Sequence, residues 1–379
     1  MHIQRCTHLI AISCLPLFWG LSTAVVGEES GRTAVAVEAL LRLKEVDLSQ
    51  NPKLKDAVLK LLEKTRGTPD FVKLVQQFQL TGQNAGLLEV AIRYGASDIG
   101  VEATRLILAS GDFALLQGVL QGSNLVAALK TAEVLGNTAD HETTGLLLPV
   151  VSDTERDWAL RKQAVRSLAQ TEQGATALLQ LAKEEKLGDD LKFTASAELN
   201  RVRWPDIKAE AAKLLPPAQG QNTQPLPPMS ELLKIKGTAA NGAKVFSSPT
   251  AGCANCHRIK GQGIDVGPDL SEIGTKLARE ALYESILDPS AGISFGYEAW
   301  QLELTSGDEP YGLIVSDTAD EIALKAVGGI VTRYKKTAVR KREQMKLSIM
   351  PAGLQQAMTT QELVDLVEYL LSLKKPSEN

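Results

Sequence analysis

The sequence predicts a mainly α protein: a long repeat-like helical region, then a smaller helical domain carrying an antiparallel β insertion. Three observations predict it. From Thr33 to Leu215 apolar residues recur at helical spacing, as at Val58, Leu61 and Leu62, and no stretch alternates as a strand would. A proline-rich stretch at 216–230 then rules out a continuous helix. Beyond it helical periodicity returns, interrupted at about 297–343 by apolar–polar alternation.

A chain of 379 residues is long enough for two or three domains. Its formal charge of −4 argues against nucleic acid as a partner. At the N-terminus, Arg5 precedes an apolar run from Leu9 to Val26, and small residues follow. Residues 1–27 thus read as a secretory signal cleaved after Gly27, which implies export to the periplasm or cell envelope. The alternative is a retained membrane anchor, which Pro16, Gly20 and the small residues disfavour. Membrane association is expected only if the segment stays uncleaved.

Residues 28–215 carry segments that look like versions of one another. Ala103, Ala132, Ala164 and Ala197 each stand near a leucine, at intervals of roughly 30 residues, which suits a two-helix unit. The stretch Asp157 to Leu168 resembles the second half of a HEAT-type repeat. Helix pairs of that kind bury their apolar faces by stacking into a solenoid; an irregular bundle is the alternative. Nothing here looks catalytic. His141, between Asp140 and Glu142, reads as a solvated loop histidine, and Trp158 and Trp204 read as packing residues.

After the linker at 216–230, the second domain spans 231–379. A short helix is expected from Gly237 to Phe246, and another from Leu277 to Leu287, ended by Asp288-Pro289. Strands are expected at Ala299–Leu304, Tyr311–Val315, Glu321–Val327 and Ile330–Tyr334. The last helix should begin at Thr359, whose hydroxyl and Glu362 form a capping box, and bury Leu363, Leu366, Val367 and Leu370.

The chemistry sits at Cys253-Ala254-Asn255-Cys256-His257. Two cysteines three apart with a histidine next in line form the attachment signature of c-type haem. Each thiol can add across a vinyl group, and the imidazole follows in place for the iron. If Cys6 and Cys14 leave with the signal, Cys253 and Cys256 are the only thiols that remain. A zinc site would lack a ligand, and no βαβ context supports a thioredoxin-like dithiol. Gly267-Pro268-Asp269-Leu270 resembles the loop of class I cytochromes c in which the proline carbonyl accepts a hydrogen bond from the proximal histidine. Met229, Met345, Met350 and Met358 are the candidate sixth ligands. Met350 is preferred because proline follows it and stiffens a loop.

Taken together these motifs resemble the haem-binding cytochrome c domain of planctomycetes and verrucomicrobia. The stretches that carry the resemblance are the pentad, Val266–Ser271, Glu284–Ser290, Ser348–Leu354 and Gln361–Leu370, in the family's order. The resemblance implies one covalently attached haem c, with Cys253, Cys256, His257, Pro268 and Met350 around it and iron held by His257 and Met350. The expected role is an electron carrier or relay rather than an enzyme, serving a redox protein partner such as a separately encoded dehydrogenase. A repeat-based scaffold with an accessory haem domain is an alternative, as is a haem enzyme or gas sensor with an open sixth site. The basic run from Arg333 to Lys346 reads as a solvated strand or loop, or as a docking patch for an acidic partner. Haem propionates could be met by Tyr297, Trp300 or one of these cations.

Overall fold

The computed structural model describes residues 22–43, 46–215 and 225–375. The expected signal segment up to residue 21 and linker residues 216–224 lie outside the described residues. The chain divides into two compact units, Met1–Leu80 and Thr81–Asn379. In the first, helices Ser22–Leu41, Pro52–Thr65 and Pro69–Gln77 pack on one another. Pro52 and Pro69 stand at the first turn, where a missing N–H costs nothing. Among the described residues no helix is long and apolar enough to cross a membrane.

The second unit begins with four helix pairs: Asn84–Tyr94 with Asp98–Ala109, Phe113–Gln121 with Leu125–Asn137, Thr143–Ser152 with Trp158–Leu168, and Glu172–Lys183 with Asp189–Leu199. Pro205–Leu214 follows. Second helices of successive pairs pack on one another, and so do first helices from Phe113–Gln121 onward, making two layers. Five of the starts are set by side-chain caps: Ser97, Asp112, Asn124, Asp157 and Thr171 each accept a first-turn N–H. Ala103, Ala132 and Ala164 are fully buried where helices approach closely. In the last pair that place belongs to Ala195 and not to the expected Ala197, which is only half-buried.

Beyond the linker, helices Ala239–Ser247, Arg279–Leu287 and Thr360–Ser372 enclose a core of Phe246, Tyr283, Ile286, Leu363 and Val367. The first and last of these cross at Gly242, where a Cβ would strike the carbonyl oxygen of Asp365. Phe246 and Tyr369 meet beside the crossing, ring centroids 6.1 Å apart. The Thr359–Glu362 capping box is present. Strands β1 (Ala299–Leu304), β2 (Tyr311–Asp317), β3 (Glu321–Lys325), β4 (Val331–Lys335) and β5 (Val339–Gln344) form an antiparallel sheet in the order β4-β3-β2-β1-β5. The fifth strand lies within the run read as basic. Its burial shows no alternation, because an edge strand exposed on both faces has none to show.

The sheet docks on the helix pairs. Ile330 joins Val101 and Val134 in one buried cluster. Arg105 donates to the Tyr334 hydroxyl at 2.8 Å with its guanidinium 4.7 Å from the ring centroid. Arg203 lies 4.7 Å from the Tyr311 ring. His141, expected to be solvated, has its Nδ1 2.8 Å from Asp308 Oδ1, which also accepts the His141 backbone N–H. Trp158, expected to pack, is 53% exposed and reaches the carbonyl of Asp190 with its indole N–H.

Candidate functional site

Gly252 ends the approach to the motif in the left-handed region, φ 70°, and Cys253–Asn255 form one 3-10 turn. The His257 N–H donates to the Cys253 carbonyl at 3.0 Å, so both thiols and the imidazole are drawn into one tight turn. Both cysteines are free and half-buried. Burial pushes the Cys253 thiol up to about 11 and raises Cys256 as well, so both stay protonated at neutral pH.

A second segment closes over this turn. Ile264 N–H donates to the Ala254 carbonyl and Val266 N–H to that of Cys256, both at 2.9 Å, and Gly267 N–H joins the latter at 2.7 Å. Pro268 is thereby placed so that its carbonyl lies 2.8 Å from His257 Nδ1. Sequence reasoning reached this contact. It missed what Gly267 does: a Cβ there would lie 2.5 Å from Cε1, 2.8 Å from Nδ1 and 3.1 Å from Nε2 of His257. The imidazole rests against the glycine backbone. Burial lowers the His257 pKa and the Pro268 carbonyl opposes the shift, which favours a neutral ring with its proton on Nδ1.

That tautomer leaves the lone pair on Nε2, which has no hydrogen-bond partner among the described residues. Cys253 and Ala254 of the turn are half-covered and pack against the domain core, as do Leu270 and Leu277. Arg258 Nε and Gln355 Oε1 are buried without a hydrogen-bond partner, although Arg258 also lies 3.8 Å from Asp269. Two protonated thiols and one imidazole whose Nδ1 is held by the Pro268 carbonyl, leaving Nε2 without a partner, are a donor set that fits haem c.

Met350 lies in the irregular stretch after β5, half-buried. Its N–H donates to Ser348 Oγ at 3.2 Å, and Ser348 N–H donates to Ser290 Oγ at 3.1 Å, tying this stretch to the end of helix Arg279–Leu287. Met358 is 2% exposed within the core. Met229 packs against that core from outside, and the Met345 backbone pairs with Ala299 at the end of the sheet.

Residues 239–320 match the cytochrome c family, a stretch under a quarter of the chain. It contains Cys253, Cys256, His257 and Pro268 and ends before Met350. The C-terminal region thus holds a cytochrome c-like domain, which implies haem c with its iron and an electron-transfer role. Separately, 119 residues are 29% identical to a deoxyhypusine hydroxylase of Emericella nidulans, covering 30% of this chain and 35% of that protein. The chain therefore spans about a third of the length of that curated relative.

Proposed function

We propose that this chain is an exported c-type cytochrome of the periplasm or cell envelope that relays electrons for a redox protein partner. Cys253 and Cys256 attach one haem, His257 provides one axial ligand and Met350 the other. The observation that carries this reading is the His257 ring, held by the Pro268 carbonyl at 2.8 Å and seated on Gly267 in the same turn as two free thiols. Bound there, haem supplies a one-electron couple whose potential follows from its axial ligands and surroundings. The protein's part is to orient. Pro268 fixes the tautomer and makes Nε2 a stronger donor, Gly267 sets the ring's position, and the apolar core of Phe246, Leu363 and Val367 limits water.

The remaining thread is the helical region. The two layers of stacked pairs support a HEAT-like array, which offers an extended surface to a protein partner. The sheet fixes that array to the haem domain through Arg105, His141 and Ile330.

The test is whether haem stays with the chain after denaturation. Protein matured in an exporting host should keep its haem on a denaturing gel and give a haemochrome spectrum with both vinyls consumed. Cys253→Ser with Cys256→Ser should abolish both signals. Haem extracted from the unaltered protein by acidified organic solvent would refute covalent attachment. Ready carbon monoxide binding by the reduced protein would refute a filled sixth site.

A further inference from the structure

A continuous line of contacts runs from the helical region to His257 through the turn between β3 and β4. On one side, Ile330 is 3% exposed and packs with Val101 and Val134. Beside it the Val331 N–H donates to Asp98 Oδ1 at 2.7 Å. Both contacts fasten the turn to helices Asp98–Ala109 and Leu125–Asn137.

The other side of the turn meets the segment that carries Pro268. Gly329 has φ +82°, and a Cβ there would lie 2.7 Å from Ile264 Cγ2 and 4.0 Å from Val266 Cγ2. Lys325 Nζ pairs with Asp265 Oδ2 at 3.1 Å. Segment 264–268 is therefore held between two surfaces. Outward it touches the turn; inward it is bonded to Ala254 and Cys256 and carries both groups that seat the His257 ring.

We propose that the β3–β4 turn is a positioning element for His257, through which the packing of the helical region acts on the imidazole. This rests on His257 being the haem ligand. The turn has little freedom of its own, since Ile330 is sealed into the helices and the Ala326 N–H donates to the Ile330 carbonyl at 2.8 Å. A displaced turn pushes or releases Ile264 and Val266. Three backbone hydrogen bonds tie 264–267 to the haem-attachment turn, so the displacement reaches Gly267 and Pro268. A weakened Nδ1–H to Pro268 bond makes Nε2 a poorer donor. The oxidised iron is then stabilised less, and the potential rises.

The experiment compares four holoprotein variants with the unaltered chain. Ile330→Ala removes the tether to the helices, Gly329→Ala adds a Cβ against Ile264, and Lys325→Gln removes the ion pair to Asp265. Arg333→Gln is the control, on an exposed side chain of β4 paired with Glu321. The readouts are the haem midpoint potential and amide hydrogen exchange at Val266 and Gly267. Ile330→Ala and Gly329→Ala should raise the potential and speed exchange about tenfold. Lys325→Gln should do so less, and Arg333→Gln not at all. Unchanged potential and exchange in both Ile330→Ala and Lys325→Gln overturn the inference. So does an equal shift in Arg333→Gln, which would mark general loosening. A parent protein without attached haem fails the underlying reading instead, and exchange at Val266 and Gly267 still tests the bracing.

Discussion

Replacing Gly267 by alanine tests the site at its tightest contact. The new Cβ would stand 2.5 Å from His257 Cε1, about 1 Å inside ordinary carbon–carbon contact. The ring cannot simply swing away, because Nδ1 is bonded to Pro268, the next residue along. Nor can the backbone retreat freely, since the Gly267 N–H is bonded to Cys256 at 2.7 Å. Overpacking costs about 1–3 kcal/mol, and each hydrogen bond given up about 0.5–1.5 kcal/mol. Together the loss is about 2–4 kcal/mol, a fall of roughly 5–10 °C in the unfolding midpoint of a unit this size. The assay is thermal unfolding of the holoprotein followed at the haem absorption and by far-ultraviolet circular dichroism. Gly292→Ala is the reference, because a Cβ there meets nothing within 4 Å. If Gly267→Ala melts within about 1 °C of Gly292→Ala and keeps the parent spectrum, the seating of the ring has been misjudged.

Other outcomes follow from the same geometry. Met350→Ala should lower the potential and admit carbon monoxide, while Met358→Ala should cost about 2–5 kcal/mol as a core cavity and leave the iron closed; the reverse pattern in the spectra would exchange their roles. The His141–Asp308 contact should depend on pH. The hydrogen bond to Asp308, against the opposing effect of burial, holds His141 above its ordinary value of 6.5; this contribution is complete below 6.5 and lost as pH rises through the raised pKa. Burial pushes Asp308 up, but hydrogen bonds from Ser306 and His141 outweigh it and hold it below 3.8; its share is lost as pH falls through that lowered value. Thermal midpoints from pH 5 to 9 should show the alkaline loss in the parent and not in His141→Asn. Thr359→Ala should cost about 1 kcal/mol by removing the hydroxyl that accepts the Glu362 N–H, read as a lower denaturation midpoint.

What could be read from the sequence divides along the range of the interactions. The turn that gathers Cys253, Cys256 and His257 is legible because the three are contiguous, and the Pro268 contact because one short loop returns it to the ring. The final helix was legible from its capping box and buried stripe. His141 was not, since its partner Asp308 lies 167 residues away and only Asp140 and Glu142 were in view. Gly267 was visible as a glycine, but a loop glycine looks the same whether it turns the chain or clears a ring. Ala195 was missed for a smaller reason: both alanines of Ala195-Ser196-Ala197 suit a helix, and only packing says which one faces inward.

The basic run illustrates the same limit and bears on where a partner could bind. Strand β5 is the exposed edge of the sheet, and charged side chains on an edge discourage pairing with another chain. Its cations are also largely answered. Arg340 meets Glu303 at 3.3 Å, Lys341 meets Glu343 at 2.6 Å, and Arg342 meets Asp317 at 2.6 Å. Arg333 and Lys336 have Glu321 and Asp317, each at 2.7 Å. Pairs this exposed contribute little stability, but they offset part of the field that a steering patch requires. Among the described residues of the run only Lys335 and Lys346 have no carboxylate within ion-pair distance. Asp317 serves both Lys336 and Arg342, so the seven cations of the run face four carboxylates and a positive excess remains beside the edge-protecting role.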